Sequence, residues 1–433
     1  MESVRDKQKP RKDGAMIVVV EGKGVVQEKE DMLLSPKVVD AASKVLGNKD
    51  LLKEILVRLG LSIPLVRSAL VCKHWLHVVA NPKFLGEFGK LHPRYLLASY
   101  IFTASGRHAL VPHQGLPTEF ASILSSAKRY FSDLEKKWCG DDFDILDWCC
   151  GQVLISVENS TTKFQQRLAI CTPLNPTKDF TFIPQYRPVV PQGYTNIDMY
   201  DFLCKEHGDY QMSIYKVRLA CNRTRQSILG VLVAFKNGSW CDSCTSAAID
   251  LPSRWLQRKN SGLLIGNKFY MLGPSRYILG LDLLSMSLFI VDLPNRMEHN
   301  DQEKLQLSRA EDSKLYLIHL NGLQLHVWFH VIDNNNNNNN NTGNWVLIDK
   351  VCLLEVFGHI ANPGWKLEVN VKIVRGGSSV DFVYLDMGDD VYLVHIKRRV
   401  VKKVSDNGKI VRSYPFMMAW PPTFPSLIMK SDA

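Results

Sequence analysis

The residues best placed to do chemistry are few and scattered. His326, Trp328 and His330 alternate within the apolar run LQLHVWFHVID (323–333), so on a strand all three share one face. Two imidazoles at that spacing could be two metal ligands, but a satisfied or exposed pair beside an aromatic ring is by far the favoured reading. Cys241 and Cys244 form one C-x-x-C, and Cys149 and Cys150 are adjacent. No second C-x-x-C and no nearby His completes a zinc set, so the ten cysteines read as free thiols of a reducing compartment. His74 and His77 read as surface positions, and Asp282 and Asp292 stand near strand ends, where turn capping accounts for them. The basic run Lys397, Arg398, Arg399, Lys402 and Lys403 has no interleaved aromatics on which bases would stack, so nucleic acid is disfavoured as a partner. There is no G-x-S-x-G, no H-E-x-x-H and no phosphate-cradling glycine loop. The expectation is a chain with no catalytic residues, no metal and no cofactor.

The elements around these residues fall into two textures. Residues 46–88 read as three short helices. Leu51, Leu52, Ile55, Leu56 and Leu59 recur on one helical face, behind Asn48 as a cap and ahead of Gly60 as a stop. Pro64 opens a second helix carrying Leu65, Ala69, Cys72, Trp75, Leu76 and Val79, and Asn81-Pro82 opens a third carrying Phe84, Leu85 and Phe88. About 43 residues bury too little to stand alone. Either the bundle docks on the rest of the chain, or part of its apolar face docks on another protein.

From 91 to 430 the texture is short apolar runs broken by Gly, Pro, Asn and Asp, such as GQVLISV (151–157), ILGVLVAF (228–235) and DVYLVHI (390–396). One long helical period stands out, at 119–138. A weak repeat is visible: a turn followed by Trp at Trp240 and Trp345, and an apolar residue followed by Pro at Ile183-Pro184, Leu251-Pro252 and Leu293-Pro294. Strand clusters begin near 95, 143, 199, 261, 314 and 368. A spacing of about 55 residues suits four-stranded blades in a ring, each covering its neighbour's apolar face. Two β-sandwiches in series are the alternative. The apolar tail YPFMMAW (414–420) is placed to close such a ring.

The order D-L-L-x-E-I-L-x-R-L (50–59), L-V-R (65–67), V-C-K-x-W (71–75) and N-P-x-F (81–84) resembles the F-box. The β region resembles the F-box-associated, kelch-like domain of plant, and most closely grass-type, F-box proteins. The cues are WCCGQVLI (148–155), CTPLNP (171–176), SGLLIGNKFYML (261–272), ILGLDLLSMSLFIVDLP (278–294) and NWVLIDKVCL (344–353). The resemblance implies an α+β multidomain chain: a small three-helix F-box at 45–90, then a mainly antiparallel β-propeller of about six blades at 91–430. It also implies a substrate receptor of a Skp–cullin–F-box ubiquitin ligase, with a Skp-family adaptor, cullin and RING subunits and an unnamed target protein as partners. Leu51, Leu52, Ile55, Leu56, Leu65, Val71, Cys72 and Trp75 match the adaptor-binding pattern. The Leu-Pro that opens many F-boxes is absent, with Gly47-Asn48 in its place. A propeller scaffold outside any ligase, or an enzyme on a propeller, are the other readings.

The remaining bounds are broad. The 433 residues carry a net charge of +10, with 45% hydrophobic and 22% charged residues, as in a globular protein. The N-terminus MESVRDKQKPRKDG has no apolar core of signal-peptide length and no run of 18 apolar residues spans a membrane, which points to cytoplasm, nucleus or both. Residues 1–44 read as a flexible arm, and Asn334–Asn341, eight asparagines, as a disordered loop between two strands.

Overall fold

The computed structural model describes residues 36–418 apart from short internal breaks, of which 332–343 and 359–369 are the longest. The Asn334–Asn341 tract and most of the N-terminal arm lie outside the described residues.

Six antiparallel sheets follow one another along the chain. Blade 1 is made from strands Leu96–Thr103 and His108–Pro112 together with Ile410–Met417 from the far end of the chain. Blade 2 runs Asp142–Cys149, Gln152–Glu158, Gln166–Cys171, Thr181–Ile183. Blade 3 has three long strands, Tyr194–Lys205, Met212–Asn222 and Ser227–Lys236. Its fourth position is shared by three two-residue pieces, Ser239–Trp240, Cys244–Thr245 and Ile249–Asp250, all paired to Ser227–Lys236. Blade 4 is Gly262–Ile265, Lys268–Leu272, Tyr277–Asp282, Ser287–Asp292. Blade 5 is Leu305–Arg309, Leu315–Asn321, Gln324–Val331, Asn344–Cys352, and blade 6 is Val371–Ile373, Phe382–Met387, Asp390–His395, Val400–Ser405.

The cores show that these sheets form a ring and not two sandwiches. One apolar cluster joins blade 1 to blade 2, from Leu97 and Phe416 to Val153 and Ile155. Others join blades 2 and 3, 3 and 4, 4 and 5, and 5 and 6. The last joins blade 6 back to blade 1 through Phe382, Tyr384, Ile101 and Ile410. The protein is a six-bladed β-propeller. Each sheet has two apolar faces, and only stacking in a closed ring buries both. The closing strand pairs Tyr414 with Tyr100 and Ser413 with Ile101, so the C-terminal end completes the first blade. Arg412 on that strand pairs with Asp144 of blade 2, and the Tyr414 hydroxyl donates to the Ile145 carbonyl at 2.5 Å.

The two sequence repeats turn out to be halves of one contact. The Trp240 indole N–H of blade 3 donates to the Pro184 carbonyl that ends blade 2, at 2.6 Å. The Trp345 indole N–H of blade 5 donates to the Asp292 carbonyl that ends blade 4, at 2.7 Å. Each of these Trp therefore fastens its blade to the preceding one beside an apolar-Pro pair, at Pro184 itself in one case and at Asp292, just before Leu293-Pro294, in the other. The turn ahead of Trp240 has Asn237 at φ 51° and Gly238 at φ 81°, the positive-φ pair that a two-residue hairpin needs.

The helical part begins at α1, Pro36–Gly47, inside the stretch read above as arm. It continues with α2 (Lys49–Val57), α3 (Ser62–Ala69), α4 (Lys73–Val79) and α5 (Pro82–Leu91). The expected second helix is thus two helices. The chain turns at Leu70 and Val71, whose N–H groups reach back to Arg67 and Ser68, and Cys72 is extended, with φ −162° and ψ 169°. The apolar period crosses this break undisturbed, which is why it read as one helix. Helix α6, Ala121–Lys137, lies against the cluster between blades 1 and 2, burying Leu124, Ala127, Phe131 and Leu134. A short helix α7, Leu353–Phe357, of little more than one turn, seals the seam between blades 5 and 6 through Leu353 and Phe357.

Candidate functional site

The helical box is held together by a compact set of apolar side chains and two good caps. Asn48 accepts from the N–H groups of Asp50 at 2.9 Å and Leu51 at 3.2 Å, starting α2. Asn81 accepts from Lys83 at 2.9 Å, with Pro82 in the first turn of α5. Leu52, Leu56, Leu65, Ala69, Val78, Val79, Phe84 and Phe88 form the core, and Trp75 packs half-buried on it. Lys53 on α2 pairs with Glu87 on α5 at 2.6 Å, and the His92 ring is 2.7 Å from the Val57 carbonyl.

Against this core the eight sequence candidates divide. Leu52, Leu56 and Leu65 are 0–1% exposed and shape the box from inside, so as direct partner contacts they are unavailable. Leu51 and Ile55 lie one helical turn apart on the other side of α2, 47% and 42% exposed. Val71 and Cys72 are exposed in the turn between α3 and α4. Leu70, the most exposed of this group at 79%, and Val66 were not among the candidates. The break at 70–72 turns Leu70 outward, and helical periodicity gave no sign of that break. Only Ile63 of the box packs into the cluster between blades 1 and 2. Among the described residues Ile63 is the apolar side chain of the box that packs on the propeller cores, and Leu51, Ile55, Leu70 and Val71 face water, the surface expected of a helical partner site.

The propeller's candidate chemical residues do not converge. Among the described residues no three His, Cys, Asp or Glu side chains come together in metal-binding geometry. Cys241 and Cys244 are free and exposed. Asp282 accepts from the Leu284 and Ser285 N–H groups at 2.9 and 3.1 Å, the turn-capping role expected of it. In the basic run Lys397, Arg399 and Lys403 pair with Asp381, Asp349 and Asp390, and Lys402 donates to the Pro112 carbonyl. These cations are already matched within the fold.

The strand histidines pack against neighbouring rings. His326 and Trp328 share a face, with ring centroids 6.5 Å apart, and His319 stands opposite His326 across the strand pair. His330 is buried between blades 4 and 5, its ring 4.9 Å from Trp345, and neither ring nitrogen meets a partner among the described residues. Burial, and then the nearby Lys268 charge, pushes His330 from the ordinary 6.5 down to about 4. Burial, then His326 and Lys304, does the same to His319, again to about 4. A base whose folded pKa is depressed stabilises the fold above its unfolded pKa. That stability is lost as pH falls from 6.5 towards about 4, because the unfolded chain takes up the proton first. His330→Leu should therefore raise the melting temperature more at pH 5 than at pH 7.5. A melting gain independent of pH would show that His330 does not carry this dependence.

A family model described as F-box protein AT5G49610-like, beta-propeller matches residues 144–424. No curated protein matches the chain. Among solved structures, apo AztD from Citrobacter koseri is 12% identical, with 60% of this chain and 71% of that chain covered and a TM-score of 0.26. The WD40 domain of SCAP from fission yeast is 8% identical, with 58% and 72% covered and a TM-score of 0.27. The alpha-L-arabinofuranosidase arb93a from Fusarium graminearum is 8% identical, with 60% and 79% covered and a TM-score of 0.31. Likeness this low adds nothing to the family match.

Proposed function

The chain belongs to the AT5G49610-like family of F-box protein β-propellers, and from that premise we propose that it is the substrate-recognition subunit of a Skp–cullin–F-box ubiquitin ligase. In this reading the helical box at 45–90 is the F-box and docks on a Skp-family adaptor. The propeller presents a target protein, and ubiquitin transfer belongs to the cullin and RING side of the assembly. The protein itself is non-catalytic and works in cytoplasm, nucleus or both, and within its family it groups with the kelch-like, grass-type members.

The observation that carries the reading is the division of α2 and the α3–α4 turn. The box completes its own core with Leu52, Leu56 and Leu65 and still exposes Leu51, Ile55, Leu70 and Val71. A helical cap serving only the propeller would turn such side chains towards it, and among the described residues of the box Ile63 alone joins a propeller core cluster. The experiment is co-expression of the full chain with a plant Skp-family adaptor. A stoichiometric complex that survives gel filtration is the expected result. Separate elution of the two proteins at micromolar concentration would sink the proposal and leave a propeller scaffold.

A further inference from the structure

The outer edge of blade 2 carries cations laid over aromatic rings. Lys137, the last residue of α6, sits over the Phe180 ring at 4.3 Å from its centroid. Phe180 meets Phe182 edge to face at 5.0 Å, and the Arg167 guanidinium lies 5.9 Å from the Phe182 centroid. Phe182 is 43% exposed, and Lys137 and Arg167 are exposed too. Arg167, Phe182, Ile183 and Gln185 line a cavity of about 330 Å³, at the small end of ligand-pocket sizes. Just beyond it the chain carries Tyr186, stacked on Trp240 of blade 3 at 5.4 Å.

Three properties of this edge bear on what it holds. First, neither Lys137 nor Arg167 has a carboxylate within ion-pair distance among the described residues, whereas Lys397, Arg399 and Lys403 of blade 6 each have one. Second, Arg and large aromatics are the residues that concentrate binding energy at interfaces, and the Arg fork fits a carboxylate in two-point fashion. Third, the rings are not open platforms: Phe180 and Phe182 each have a cation over a face, and Trp240 has Tyr186 against it. Stacking of nucleobases needs free ring faces, so single-stranded nucleic acid fits less well than a protein segment. Ring edges are the positive part of an aromatic and add to the attraction for anions.

We propose that this edge of blade 2, centred on Arg167 and Phe182 and flanked by Lys137, is a docking site for an acidic peptide segment in which carboxylates alternate with apolar side chains. An aliphatic or aromatic side chain enters the cavity against Phe182 and Ile183, and flanking carboxylates meet Arg167 and Lys137. As the place where a ligase target is held, the site rests on the receptor reading above. The binding assay uses no adaptor, so failure of adaptor docking and failure of this site are separable.

The test is fluorescence anisotropy of the purified full chain with a labelled peptide of alternating Glu and Leu. A copy with Gln for every Glu and a labelled oligo-dT of equal charge serve as comparisons. The acidic probe should bind more tightly than either, and its affinity should fall with added salt. Arg167→Gln combined with Lys137→Gln should weaken it at least about tenfold, as should Phe182→Ala, while Lys314→Gln on blade 5 leaves it unchanged. All three are exposed positions, so an unshifted melting temperature accompanies each loss. No measurable binding of the acidic probe, equal binding of the Gln copy, tighter binding of oligo-dT, or indifference to the Arg167 and Lys137 changes would each overturn the proposal.

Discussion

Cutting Leu51 and Ile55 back to alanine together should weaken binding to a Skp-family adaptor about a hundredfold, at about 1.4 kcal/mol for each tenfold, and leave the melting of the protein in place. Both side chains are exposed in the free protein, so truncation removes no core contact. Exposed substitutions of this kind move stability by about 0.5 kcal/mol or less. A docked partner changes that. Buried apolar anchors in an interface are worth about 2–4 kcal/mol each, and Leu51 and Ile55 stand side by side on one face of α2. The contrasting pair is Leu52→Ala with Leu56→Ala. Those residues are core, and each truncation should cost about 2–5 kcal/mol, so the box would unfold and adaptor binding would be lost with its helical signal. A hundredfold loss with the helices intact separates docking from folding. Wild-type affinity in the Leu51, Ile55 variant would remove α2 from the partner surface, and with it the ligase reading.

That separation shows what the amino-acid order could and could not reveal. Leu51 and Leu52 are adjacent and about 100° apart around a helix, so they were bound to divide between surface and core, and the helical period shows the division. The break at Leu70–Cys72 was hidden, because apolar residues on both sides keep the helical spacing. What stops the helix is an extended Cys72, a backbone choice that no residue type there demands. In the propeller, five of six blade starts were legible to within about five residues, because turn residues separate each from the apolar runs before it. The exception, blade 5, opens at Leu305–Arg309, ahead of the cluster seen near 314, because KLQLSR (304–309) alternates polar and apolar and reads as surface. The Trp and apolar-Pro repeats were legible as separate motifs. Their joining across a blade seam was not, because it pairs an indole N–H with a main-chain carbonyl over 50 residues away.

Charged residues inside strands were the least legible, and one pair of them sets the second large effect. Lys216→Met should destabilise the protein by about 3–5 kcal/mol, the cost of leaving one member of a buried ion pair alone. Lys216 Nζ lies 3.3 Å from Asp201 Oδ1, and their side chains are 9% and 4% exposed. Lys216 shares a strand face with Ile214, which belongs to the cluster between blades 2 and 3, and its Nζ is 5.9 Å from the Trp240 ring. From the sequence an alternating Lys on a strand reads as a solvent-facing residue; the ring folds this face inward. Burial pushes the Asp201 carboxyl above its ordinary 3.8, and Lys216 and then Arg218 draw it back. Without Lys216 burial is opposed by less, so the folded carboxyl holds its proton to higher pH than the unfolded one. An acid with a raised folded pKa loses stability as pH rises through that value. The cost of Lys216→Met should therefore be larger at pH 8 than at pH 5, as read by urea unfolding. The double variant Asp201→Leu with Lys216→Met removes both charges from the seam and should recover most of the loss, since well-packed apolar replacements of a buried pair are often neutral or stabilising by about 1–4 kcal/mol. If the single variant is as stable as wild type at both pH values, the pair is reached by water and the seam between blades 2 and 3 is looser than its packing implies. If the double variant is as weak as the single one, the pair sets the fit of the two blades and not merely their charge balance.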